Sequence, residues 1–67
     1  MESKLIEQIL IVRDTGLTNM FDVKAVFIIA AGMGLLELTD FIAVNPLGYF
    51  NFVLTGDDLY LVGARNA

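Results

Sequence analysis

The stretch DVKAVFIIAAGMG, residues 22–34, decides the fold. Asp22 has the chemistry of a helix N-cap: its carboxylate accepts from backbone N–H groups with no partner inside the helix, and it sits at the positive end of the helix dipole. The spacing predicts a helix over 23–33, ended by Gly34. Val23, Val26, Ala30 and Met33 form its inner stripe, yet Phe27, Ile28, Ile29 and Ala31 fill most of the remaining circumference. A helix apolar on nearly all sides is normally buried on all sides. A chain of 67 residues cannot do that alone. Phe27, Ile28 and Ala31 are therefore candidate partner-binding residues. Gly32 costs about 1 kcal/mol in a helix and marks an end that frays or approaches another backbone.

Working outward, residues 3–14 read as a first helix with Ser3 as its cap and Gly16 as its stop. Leu5, Ile6, Ile9, Leu10 and Val12 make the apolar stripe, with Lys4, Glu7, Gln8 and Asp14 opposite. Ile11 falls on the polar side and joins the candidate contact residues. Residues 35–44 read as a third helix: Leu35, Leu38, Phe41 and Ile42 face inward, and Glu37 and Asp40 face outward. Pro46 ends it, because the residue before a proline is pushed out of the helical region. Residues 49–54 fit a short fourth helix with Tyr49, Phe52 and Val53 inward. The alternative is a β-hairpin over 49–62, favoured by aromatic and β-branched enrichment. The expected architecture is all-α: one domain, residues 1–67, built as a small bundle of three to four short helices, with 63–67 as a frayed tail.

Composition sharpens the need for a partner. Hydrophobic residues are 57% of the chain before glycine is counted, and 18% are charged against a usual figure of about 25%. Cys and His are both absent. No disulfide or thiolate site can support a domain of this size, which leaves oligomerisation or a partner. Eight acidic residues against four basic ones give a net charge of −4. A phosphate backbone wants Lys and Arg, so direct nucleic-acid binding is not expected, whereas a basic protein groove matches. The longest uncharged stretches, 25–36 and 41–56, are shorter than the roughly 20 residues that span a bilayer. No membrane partner is expected, and the expected location is cytoplasmic.

Chemistry finds no footing in these residues. Ser3 is the only serine and has no histidine to activate it. Thr15, Thr18, Thr39 and Thr55 read as turn, cap and helix-surface residues. Glu37 and Asp40 lie three apart on a solvent-facing helix side, without the apolar pocket that separates the pKa values of an acid–base pair. Asp57 and Asp58 form a solvated turn, and GMG at 32–34 lacks the third glycine and preceding strand of a dinucleotide loop. Residues 22–44 have the length of a helix-turn-helix, but their second helix lacks the Arg, Lys, Asn or Gln that reads bases. No catalytic residue, cofactor or metal is expected.

The run IEQILIVRDTGLTNMFDV, Ile6 to Val23, resembles a family of short proteins encoded by phages and prophages of Gram-positive bacteria, catalogued only as a domain of unknown function. RDTG.TNMFD is the specific part. Further matches are Ile29, Ala30, Met33 and Gly34, then Glu37, Leu38, Phe41 and Ile42, and lastly Tyr49, Phe52, Leu54, Thr55 and Gly56. The resemblance implies an all-helical fold and a mobile-element origin, and it weights the fourth helix over the hairpin. It carries no activity and no functional residues. This chain departs at AVNPLG, residues 43–48, where the family is charged, and at Phe27, Ala31 and Gly32, where the family is polar. The expected function is that of a small acidic phage-type protein that binds a protein. It would inhibit or adapt a host nucleic-acid-handling or defence system, as an anti-CRISPR does, with Ile11, Phe27, Ile28, Ala31, Glu37 and Asp40 in contact. The alternative is a self-assembling structural or accessory protein.

Overall fold

The computed structural model describes residues 4–61. It contains four helices, α1 (Lys4–Thr15), α2 (Val23–Gly32), α3 (Leu36–Val44) and α4 (Pro46–Thr55), followed by a short 3-10 turn, Asp58–Tyr60. The expected cap at Ser3 and the tail at 63–67 lie outside the described residues. α3 is the hub and packs on each of the other three helices. The core collects Leu5, Ile9 and Val12 from α1, Val26 and Ala30 from α2, Leu38, Phe41 and Ile42 from α3, and Tyr49 from α4. These spacings are those of one helical face, and each such aliphatic or aromatic side chain contributes about 1.5–3 kcal/mol by leaving water.

The stretch from Arg13 to Asp22 turns out to be punctuation. The Thr15 hydroxyl donates to the Val12 carbonyl at 2.6 Å and accepts from the Leu17 N–H at 3.1 Å. Gly16 then reverses the chain at φ +66°, a backbone conformation that side chains with a Cβ resist. The Asn19 side chain accepts from the Phe21 N–H at 2.8 Å, and the Asp22 side chain accepts from the Ala25 N–H at 3.2 Å, capping α2 as its residue type predicts. The far end of α2 closes with two crossed bonds, Leu35 N–H to the Ala30 carbonyl and Gly34 N–H to the Ala31 carbonyl. Gly34 takes φ +73° there, which is the Schellman arrangement.

The C-terminal third is helical, and the hairpin alternative falls: no strand occurs among the described residues. Pro46 starts a helix as well as following one. It occupies the first turn of α4, where its missing N–H costs nothing, and the Asn45 side chain caps that turn by accepting from the Gly48 N–H at 2.9 Å. α4 therefore begins three residues before the expected Tyr49. Gly48 is buried and the position needs a glycine, since a Cβ there would lie 2.5 Å from both the Asn45 side chain and the Tyr60 carbonyl oxygen. Gly56, at φ +77°, ends the helix.

Four side chains sit differently from the sequence expectation. Leu10 and Met33, read as inner, are 38% and 47% exposed. Gln8 and Thr39, read as outer, are buried. Thr39 satisfies itself by donating to the Leu36 carbonyl at 3.1 Å. Gln8 does more. Leu35, at the N-cap of α3, offers no side-chain cap, and Gln8 replaces it from α1: its Oε1 accepts from the Leu38 N–H at 2.9 Å while its Nε2 donates to Glu37 Oε1 at 2.6 Å. Tyr49, fully buried, makes a second such tie by donating its hydroxyl to the Met20 carbonyl at 2.8 Å.

Two predictions follow from these ties. Gln8→Leu keeps the volume but strands the Leu38 N–H in the interior. It is expected to lower stability by about 1–3 kcal/mol, read as a fall in Tm of roughly 4–8 °C per kcal/mol. Burial pushes the Tyr49 phenol up from 10.0 to about 12. The folded state thus holds this proton more tightly than the unfolded chain, so the linked stability is complete below pH 10 and is lost as pH rises towards 12. Denaturant titrations across that window should show a steeper loss for the parent than for Tyr49→Phe.

Candidate contact surface

On α2 the side chains of Val26 and Ala30 are buried, while Phe27 and Ile28 remain 37% and 61% exposed and Ala31 is exposed. At 100° per residue, Phe27, Ala31 and Ile28 share the outer face with Lys24 between them. Among the described residues the helix is therefore covered on one side only, and a cation stands in the middle of its apolar outer stripe. Gly32 is exposed, and a Cβ there would meet nothing within 4 Å. No close approach among the described residues requires a glycine at that position.

The remaining expected contact residues fall on other helices. Ile11, 42% exposed, lies on the outer face of α1 between Glu7 and Asp14, four residues after one and three before the other. Asp40 is exposed on the outer face of α3, beside Leu36, Ala43 and Val44. Glu37 is half-buried and tied to Gln8, so it differs from its neighbour. The Gln8 hydrogen bond, with help from the backbone N–H of Glu37 itself, holds the Glu37 carboxyl below its ordinary 4.5. Among the described residues the ion pair is Arg13 with Asp14 at 3.2 Å, both well exposed, and pairs of that kind contribute little.

The sequence reading missed a second apolar face. α4 carries no charged residue, and Leu47, Phe50 and Leu54 recur along it at i, i+3 and i+7. Leu47 and Leu54 are 67% and 60% exposed. Phe50 meets the ring of Phe21 edge-on, with centroids 5.2 Å apart and planes at 61°, a favourable aromatic geometry. Phe21 itself is 42% exposed, so the face continues onto the connector that precedes α2. The signal was present in the spacing, but reading Pro46 as a terminator cut Leu47 out of the helix.

Among the described residues no cluster of three or more Asp or Glu could hold a metal ion, and no helix is long and apolar enough to cross a membrane. The architecture is a small all-α domain with exposed apolar faces. The family described as a domain of unknown function (DUF5049) matches residues 1–57, and the chain belongs to it. No curated protein and no solved structure matches the chain.

Glu37 gives this surface a pH dependence that can be measured. Its folded-state pKa is depressed, so the linked stability is present above about pH 4.5 and is lost as pH falls below it. Between pH 5 and 3 the parent should lose stability faster than Glu37→Gln, read by denaturant midpoint.

Proposed function

We propose that this protein acts by binding another protein, as an inhibitor or adaptor of a nucleic-acid-handling or defence system in the bacterial host of a phage or prophage. The observation that carries this reading is the outer face of α2, where Phe27 and Ile28 project from a well-capped helix and are left exposed by the described residues. Apolar anchors at i, i+1 and i+4 suit the mode in which a helix lays one face into a partner's hydrophobic groove. The acidic surroundings add direction. Glu7 and Asp14 flank Ile11 on α1, and Asp40 lies outward on α3. Net charge −4 favours encounter with a basic surface such as a groove built for nucleic acid. No enzymatic role is proposed, because the sequence has no histidine to activate Ser3 or the threonines.

The test is affinity capture from host lysate with the parent and with Phe27→Glu, followed by binding to the purified captured protein. The expected result is a nucleic-acid-binding enzyme or defence complex. Its binding should weaken at least about tenfold in Phe27→Glu, the loss of one central anchor, and should be competed by its own nucleic acid. Capture of no such protein, or capture indifferent to Phe27, removes the reading.

A further inference from the structure

A different face, on α4, carries a second inference. α4 spans ten residues, Pro46–Thr55, without one charged side chain, in a chain whose net charge is −4. Two copies of such a chain repel one another over most of their surface. The repulsion is least along α4 itself, and burying its own side chains strips water from no ion, the nearest acidic residues in sequence being Asp22 after Phe21 and Asp57 after Gly56. Leu47, Phe50 and Leu54 form one stripe along α4, and Phe21 extends it through the Phe21–Phe50 ring contact. Depletion of charge around aromatic and aliphatic side chains is the composition of an interface centre. A basic partner would be drawn to the carboxylates on α1 and α3 instead. An anionic lipid surface would need Lys or Arg beside the stripe, and α4 has neither.

We propose that the α4 face pairs with the α4 face of a second copy, giving a two-fold homodimer that leaves the outer face of α2 free. A closed two-fold pairing uses the same patch on both copies, and a stripe centred on Phe50 is self-complementary in that sense. Size sets the strength. A ten-residue helix is about 15 Å long, and a pair of them meeting along that length falls at the small end of protein interfaces, below about 1,200 Å² in total. An interface of that size belongs with weak, reversible complexes, and the dimer proposed is one of micromolar strength. It tightens with added salt, because screening reduces repulsion between the two acidic bodies while the uncharged contact loses nothing. A dimer with two free α2 faces gains avidity towards any partner that repeats its site.

Sedimentation of the parent, Leu54→Lys, Leu47→Glu and Phe27→Glu tests this without any partner present. Circular dichroism confirms that each variant folds, as expected for changes at exposed positions. At about 100 μM, well above a micromolar Kd, the parent and Phe27→Glu should sediment as dimers, and more completely at high salt. Leu54→Lys and Leu47→Glu should sediment as monomers. Leu54→Lys separates the face from bulk charge, since it brings the net charge from −4 to −3 and so reduces repulsion, yet should still dissociate the dimer. A monomeric parent at both salt concentrations overturns the proposal. So does a parent dimer that survives Leu54→Lys, or one that only Phe27→Glu breaks. Each of these outcomes is independent of whether a host protein is captured.

Discussion

The structure depends on one borrowed cap. α3 touches every other helix, yet Leu35 at its N-cap has no polar side chain to satisfy the first turn. Leu38, the residue whose N–H needs an acceptor, is fully buried, so water cannot supply one. Gln8 solves this from thirty residues away, accepting from Leu38 and donating to Glu37 with the two ends of one amide. The solution fixes more than a hydrogen bond. With Gln8 aimed at the start of α3, the rotation of α1 about its own axis is set, and Leu5, Ile9 and Val12 fall on the side facing the core. Tyr49 repeats the device at the other end of the hub, holding the connector before α2 to α4 through the Met20 carbonyl. Both ties join segments far apart in sequence, and between them they connect α1 to α3 and the α1–α2 connector to α4.

The same two residues show where reading the sequence works and where it stops. Helix existence was legible from local chemistry: Asp22 as a cap, Gly16, Gly34 and Gly56 as stops, and the i, i+4, i+7 spacing of Leu5, Ile9 and Val12. Local chemistry also misled at Asn45–Pro46. There the same proline that closes α3 opens α4, and only an Asn before it distinguishes the two roles. Gln8 was illegible because polarity alone places it outside; its burial is bought by a backbone N–H that becomes its neighbour only after α1 and α3 have met. Leu10 and Met33 erred the other way. Each sits at the margin of an apolar stripe, and the arc of a helix that is covered depends on its neighbours' crossing, which spacing does not encode. Phe27, Ile28, Ala31 and Ile11 were legible as surface for the converse reason: they lie well outside the stripe that the core can reach.

The run from Arg13 to Asp22 belongs to the same scaffold. Thr15, Gly16, Asn19 and Asp22 all act within the chain, as stop, reversal, turn and cap, and Met20 and Phe21 receive Tyr49 and Phe50. These residues of the run are thus required by the fold of this chain. Family membership over residues 1–57 brings no stated activity, and the search for function moves to positions that the architecture does not need.

Ile28, Leu47 and Leu54 are such positions. Each keeps about three-fifths or more of its surface in water, so each contributes little burial to this core. Ile28 is also β-branched, a type that helices tolerate less well than the Glu, Lys or Ala that would serve an exposed site. Intramolecular physics therefore gives no reason for apolar side chains there, and solubility argues against them. The local devices around them are complete: α2 and α4 are capped at both ends, and no buried side-chain polar atom among the described residues lacks a partner. The apolar surplus is not the residue of an imperfect core. It lies outside a finished one, and two of its faces differ sharply: the outer face of α2 carries Lys24, whereas α4 carries no charged side chain. Two faces so different in electrostatics suit different occupants. A cation amid apolar anchors asks for a partner with its own polar groups, whereas the uncharged stripe on an acidic body suits the one surface that is always present at matching concentration, another copy of itself.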